Sequence, residues 1–383
     1  MNKPNTRPSF PPALALLVGV LAVSTSSILI RFAQEYVPSL VIATWRMGLA
    51  SLALIPFAWR YRGELAGLTG RQRVLLVLSG VFLAGHFASW ISSLEYTTVA
   101  SSVVLVTTTP LWVALASPIF LKERLSPTVW LGLFIAMAGG ILVGMQDYCE
   151  FAGARLTCSS VSDLFAAEGF RGNFMALAGA WFSAGYIVIG RQIRGRMSML
   201  PYTCSVYTVS AVCLLLLTLF TGEQMTGYPP VAYLWLIGLA VLPQLVGHSV
   251  FNWALGYLPA AYVAISLLGE PTGTTILAII LRRETPALME VAGGVLVLAL
   301  GSAAVGIAVF FTEGTFGRLI TGLKAFPYGA VAAAALPPIV YFVFGRKGYD
   351  KENRHDYHRR PAERGQVDPG ERPGGREDLH RDA

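Results

Sequence analysis

Aspartate is nearly absent from the first 344 residues of this 383-residue chain: only Asp147 and Asp163 occur there, and both fall in one stretch. No apolar run therefore contains an aspartate, which excludes a His/Asp catalytic constellation at membrane depth. Charge is scarce in general. With 13% charged and 54% apolar residues and a mean hydropathy of +0.57, the chain lies outside the usual range of soluble domains. Soluble-enzyme signatures are missing as well: there is no HExxH, GxxxxGKS/T or GxSxG, and no metal-spaced Cys/His set. No enzyme activity, cofactor or metal is expected. The formal net charge of +7 does not indicate a nucleic-acid partner, because the Lys and Arg residues sit in short loops between apolar runs.

The apolar runs themselves are what the chain has in abundance. Ten can be read, at 13–33, 39–59, 74–94, 98–121, 127–146, 173–190, 201–221, 232–253, 258–281 and 287–309. Most are about twenty residues long, enough for a helix to cross a ~30 Å hydrocarbon core. The first is not taken for a signal peptide, since no small-residue cleavage site follows it. The pattern also repeats. Tyr96 matches Tyr257, Pro110 matches Pro271, Glu123 matches Glu284, Gly132 matches Gly293 and Gly140 matches Gly301, all at one offset. Gly85-His86 answers Gly247-His248 one residue out of step. Two halves of five spans each enter a membrane in opposite senses, so the expected fold is an all-α membrane protein of two inverted five-helix repeats. Such duplications mark transporters built around a shared central site.

Loop charges set the orientation. With the N-terminus inside, inner loops carry Lys3, Arg7, Arg60, Arg62, Arg71, Arg73, Lys122, Arg124, Arg191, Arg194 and Arg196. The outer loops carry Arg31, Arg155, Arg171, Arg282 and Arg283, with Arg282-Arg283 a local violation. The bias predicts a multi-pass cell (plasma or bacterial inner) membrane protein with a cytoplasmic N-terminus. The expected organisation is a first repeat at 13–146, an outer loop at 147–172 and a second repeat at 173–309. An apolar segment at 327–344, long enough to form an eleventh span, and a charged tail at 345–383 follow. That tail has ten basic and nine acidic residues and too little apolar surface to fold, so disorder is expected. Cys149 and Cys158 share the outer loop, where either a disulfide or two free thiols fits the spacing. Cys204 and Cys213 read as small core residues.

Ionisable residues inside apolar runs are costly and normally face a bundle interior. Arg46, beside Trp45 in the second run, is either a fixed positive charge for a substrate carboxylate or phosphate, or a structural partner for other groups. Its repeat counterpart is Tyr207, so the pocket should be asymmetric. Glu270, in Gly269-Glu270-Pro271, is the one acidic residue in the middle of a run, and fits either proton coupling or a helix lock. His86 and His248 follow glycines in the third span of each half and read as cavity groups or as satisfied interface contacts. Trp90, one turn after His86, could line the cavity, with Asn252 its approximate mirror. Glu95 lies at a span end, where a charge is cheap. Glu123 and Glu284 read as loop charges or interfacial pairs. Pro110 and Pro271 are expected to kink each fourth helix. The run Gly132, Ala136, Gly140, Gly144 permits close helix packing within the fold or at a dimer seam.

On Trp45-Arg46, Tyr96…Pro110…Glu123, Glu270-Pro271 with Glu284, and the glycine-rich closing spans, residues ~13–309 resemble the EamA family of the drug/metabolite transporter superfamily. The resemblance implies ten helices in two inverted repeats, a central pocket lined by helices one to four and six to nine, and mostly export of small metabolites or drugs. The 147–172 loop, the 327–344 segment and the tail depart from that pattern. The expected function is transport, mainly efflux, of a small organic solute by alternating access, with protons as the candidate coupling ion. Its partners are the solute and the lipid bilayer, and its expected state is a monomer or homodimer. An intramembrane enzyme or a lipid-translocating protein is the alternative.

Overall fold

The computed structural model describes residues 12–123, 125, 127–144, 149–152, 155–158, 168–282 and 288–296. The segments predicted at 327–344 and 345–383, and Glu284 with them, lie outside these residues. The described chain is a helical bundle with one small two-stranded ribbon. Seven segments are long and apolar enough to cross a membrane: Leu14–Gln34, Ser39–Ala66, Gly70–Ser93, Ser101–Phe120, Gly169–Arg194, Met199–Thr221 and Pro230–Ala254. Two shorter apolar helices, Trp130–Gly139 and Ala260–Gly269, fall in the predicted fifth and ninth spans.

In chain order the first span is α1 (Pro12–Ser24) and α2 (Ser26–Gln34), followed by α3 (Ser39–Ala58) and α4 (Gly70–Ser93). The fourth span is divided into α5 (Val99–Val106) and α6 (Thr109–Phe120), and α7 (Pro127–Gly144) completes the half. β1 (Cys149–Ala152) and β2 (Arg155–Cys158) pair antiparallel, with Cys149 opposite Cys158. Cys158 is disulfide-bonded, while Cys204 and Cys213 are free. The predicted 147–172 loop carries this ribbon, and α8 (Glu168–Arg194) begins inside it. Then come α9 (Met199–Thr221), α10 (Pro230–Leu239), a π-helix at Ala240–His248 and α11 (Ser249–Ala254). α12 (Ala260–Ser266), a 3₁₀ turn at Leu267–Gly269 and α13 (Glu270–Leu277) form the ninth span, and α14 (Leu288–Val295) opens the tenth.

The polarity is inverted relative to a soluble bundle. Large apolar side chains cover the outside, with Phe220 89% exposed, while Arg46, Gln244, Asn252 and Tyr207 are buried. Lipid tails solvate the first set, and only protein partners can satisfy the second. Glycines let the inner helices approach. A methyl at Gly185 would stand 2.2 Å from the Phe82 ring and one at Gly80 2.5 Å from Val209, which pins α8 to α4 and α9 to α4. α3 packs along α9, and α1 along the π-helix. Gly132 is buried, and α7 packs against α14 and α5.

Pro110 and Pro271 both lie where a span is divided into two helices. α5 ends at Val106, and α6 restarts at Thr109 with Pro110 in its first turn, where the missing N–H costs nothing. The three threonines before Pro110 supply the lost backbone donors: Thr107 donates to Val104 O (2.9 Å), Thr108 to Leu105 O (2.7 Å) and Thr109 to Val106 O (2.7 Å). In the second half the 3₁₀ turn precedes Glu270, and Pro271 lies in the first turn of α13. The eighth span also departs from a plain helix. Pro243 breaks the α-helical ladder, and a nine-residue π-helix accommodates it.

Candidate functional site

These breaks converge on a small cavity of about 30 Å³. The first half contributes Val23, Ser26, His86, Trp90, Val106, Thr107 and Thr109, and the second half Ser183, His248, Leu267 and Glu270. Both helix breaks are therefore at its wall, where backbone polar groups leave the helical ladder.

Arg46 stands behind Ser26 and is fully buried. Its Nη1 donates to Ser26 Oγ (2.7 Å) and its Nε to Gln244 Oε1 (2.8 Å), and its guanidinium lies 4.2 Å over the Phe87 ring. Phe87 in turn meets His248 edge-on at 5.3 Å. Tyr207, the repeat counterpart of Arg46, donates to Gln244 O (3.3 Å). The predicted asymmetric pair thus meets on one residue, the cation on its amide and the phenol on its carbonyl. Gln244 was missed in the sequence reading. A glutamine in the middle of an apolar run is the same signal that singled out Arg46.

His86 Nδ1 lies 2.9 Å from Gly179 O. A carbonyl only accepts, so Nδ1 carries a proton. The ring stacks on Trp90 at 5.7 Å and faces His248 at 6.3 Å, so the two repeat-related histidines are neighbours. Glu270 lines the same cavity at 8% exposure and makes no ion pair with Arg46. Its flanking glycines serve packing. Gly269 makes room for Val20 and Gly273 for Ser24, whose Oγ donates to Val20 O (2.8 Å) and to Glu270 O (3.3 Å).

Two residues grouped with this site in the sequence lie elsewhere. Trp45 donates to Met225 O (2.9 Å) and meets Tyr233 edge-on at 5.7 Å, tying α3 to the loop after α9. Neighbours on a helix point about 100° apart, so adjacency to Arg46 carried no information about Trp45's direction. Asn252 accepts from the Tyr186 hydroxyl and, through its carbonyl, from Arg194 Nε (2.8 Å), away from the cavity lining.

Arg46 Nη2, Gln244 Nε2 and Trp90 Nε1 are buried donors with no partner among the described residues. Each unmade bond of this kind costs about 1–3 kcal/mol. Glu123 closes one end of the bundle. Its Oε1 takes Arg191 Nε at 2.8 Å and its Oε2 the Ala260 N–H at 3.2 Å, while Arg191 Nη1 holds Leu255 O at 3.0 Å. The interfacial pair expected of Glu123 thus bridges α6, α8 and α12.

A solved crystal structure superposes with a TM-score of 0.56 at 18% identity, covering 78% of this chain and 98% of the other, a likeness of fold. An uncharacterized transporter of Archaeoglobus fulgidus is 24% identical over 290 residues, 75% of this chain and 94% of its own length. The pseudopaline exporter CntI of Pseudomonas aeruginosa is 24% identical over 288 residues, 74% of this chain and 93% of its own. The probable 4-amino-4-deoxy-L-arabinose-phosphoundecaprenol flippase subunit ArnE of Hamiltonella defensa is 33% identical over 75 residues, 19% of this chain and 68% of its own. The family model for EamA-like transporters matches residues 11–145 and 170–312, and the chain belongs to that family of membrane transporters.

Proposed function

We propose that this transporter exports a small organic solute across the cell membrane by alternating access, through ten helices in two inverted repeats. The observation that carries this reading is the central cavity, walled by both halves at their helix breaks. Helix pairing supports the repeats. A two-fold exchange of halves maps the α3–α9 pair onto itself and the α4–α8 pair onto the contact of α1 with the π-helix. The likeness to an exporter in Pseudomonas aeruginosa supports the outward direction. Ser26, His86, Trp90, His248 and Glu270 are the lining residues assigned to the solute, with Arg46 as the fixed cation behind them. Glu270 is assigned proton coupling, because a carboxylate on a cavity that opens to either side in turn can load and release a proton. The cytoplasmic N-terminus rests on the loop charges, and a disulfide-bonded Cys158 fits an outer, oxidising face.

The test is efflux and counterflow in proteoliposomes against a panel of amino acids, nucleobases and sugar phosphates. Saturable movement of one class is expected, and movement of none would refute the reading. A cysteine placed in 61–72 should be labelled only from the cytoplasm, and one in 150–170 only from outside. A second reading, lipid translocation, draws on the 75-residue likeness to a flippase subunit. Flipping of a fluorescent anionic lipid with no solute transport would favour it.

A further inference from the structure

We infer that Glu123 is a latch that holds α6 shut across the cytoplasmic way into the cavity. The inference rests on the alternating-access reading and names the contact that parts when the cavity opens to that side. At about 30 Å³ the cavity has room for only one or two water molecules, so a solute enters only after helices move. Four segments lead from its wall to one cluster of bonds. α6 starts at the lining residue Thr109 and ends at Phe120, just before Glu123. On α8, Arg191 lies about two turns beyond the lining residue Ser183. Leu255 and Ala260 stand about two turns from the lining residues His248 and Leu267. All four segments meet where Glu123 accepts from Arg191 Nε and from the Ala260 N–H, while Arg191 Nη1 donates to Leu255 O. Gln192 Nε2 adds a bond to Phe120 O (3.2 Å). α6 belongs to the first half and its partners to the second, so these bonds tie the halves together at the end that the loop charges assign to the cytoplasm.

The same stretch of chain is built to move. α5 ends at Val106 and α6 begins at Thr109, so the two residues between them can absorb a change of angle while both helices stay intact. At the far end Lys122 has a left-handed backbone (φ 59°), rare for a residue with a side chain. It turns the chain so that the Glu123 N–H caps Ser117 O (3.3 Å) while the carboxylate reaches α8 and α12. The latch is also reversible. Arg191 and Glu123 are 25% and 21% exposed, so water hydrates both once they part, whereas separating a fully buried pair strands a charge.

The experiment places a reporter in the cavity wall of the full-length chain, Ser183→Cys, and labels it with a membrane-impermeant maleimide. Inside-out vesicles expose the cytoplasmic side and spheroplasts the outer side, with rates taken relative to the chain lacking the reporter. Glu123→Ala removes one half-exposed pair and one backbone hydrogen bond from the closed state. It should raise labelling from the cytoplasmic side by about 5- to 30-fold. Labelling from outside should stay level or fall, because the two open states compete for one population. General loosening of the bundle would instead raise both. If Glu123→Ala cannot be purified, Arg191→Met, which keeps the bond to Ala260, carries the test with a rise of about three- to tenfold. No rise from the cytoplasmic side, a rise from outside, or failure of both variants to insert overturns the inference. The transport reading fails separately. Proteoliposomes that move no solute while labelling shifts as expected would refute transport and leave the latch standing. Saturable transport with labelling unmoved would do the reverse.

Discussion

Arg46→Lys and Arg46→Met separate a solute-binding role for this residue from a structural one. The guanidinium spans two acceptors, Ser26 and Gln244, on different helices. A lysine ammonium has three donors on one nitrogen and lacks the planar fork whose Nε and Nη1 meet the two acceptors separately, so one charge-assisted hydrogen bond is lost along with much of the contact with Phe87. Such a bond contributes about 1.5–3 kcal/mol. If the same geometry orients the solute, transport in Arg46→Lys should fall roughly 10- to 100-fold, at about 1.4 kcal/mol per decade. Arg46→Met asks the opposite question. It removes the charge and fills a similar volume, but it leaves the buried Gln244 amide oxygen without its donor, which costs about 1–3 kcal/mol. Arg46→Met should therefore insert and purify with a moderately lower melting temperature than the wild type, yet transport nothing. The assay is counterflow in proteoliposomes, with melting measured in the same preparations. Full transport by Arg46→Met, or its failure to fold while Arg46→Lys is fully active, would refute a solute role and make Arg46 a structural strut.

Glu270→Gln keeps size and hydrogen bonding but cannot titrate. It should abolish transport driven by a pH gradient while counterflow persists, and unchanged gradient-driven transport would exclude coupling through Glu270. Glu123→Ala removes a half-buried ion pair, whose side chains are 25% and 21% exposed, together with the acceptor of the Ala260 N–H. The loss should be about 1–2 kcal/mol, seen as a lower melting temperature, and Arg191→Ala should cost less in the Glu123→Ala background than alone, the remainder being its bond to Leu255 O. Partial burial raises the Glu223 carboxyl above its ordinary value, and the nearby Glu95 charge adds to this. An acid with a raised folded pKa binds protons more tightly when folded, so stability declines as pH rises from the ordinary carboxylate value through the folded one. Glu223→Gln should therefore raise the melting temperature at neutral pH and leave it unchanged at pH values where Glu223 is protonated in both states. A gain only at acidic pH would contradict this.

What could be read in advance was whatever a local stretch of chain decides. A long apolar run must hydrogen-bond its own backbone in lipid, so the membrane class follows from composition alone. Pro110 and Pro271 must interrupt a helix wherever they sit, and the threonines before Pro110 take over the freed carbonyls. A charge such as Arg46 cannot face lipid, so its burial was legible before its partners were. The partners were not. Gln244 lies 198 residues from Arg46, and nothing local to either encodes the meeting. Only the packing of α3 beside α9 and the π-helix brings the cation and its repeat counterpart Tyr207 onto one glutamine. The same packing turned Trp45 toward Met225 and drew Asn252 to Tyr186 and Arg194. Which way a side chain on an inner helix points depends on helix rotation, and that is set by contacts such as Gly185 on Phe82 and Gly273 on Ser24 between segments far apart in the chain. The sequence alone determined that there is a polar interior within an apolar shell. The tertiary structure decided which polar groups share the cavity and which buried donors lack a partner among the described residues.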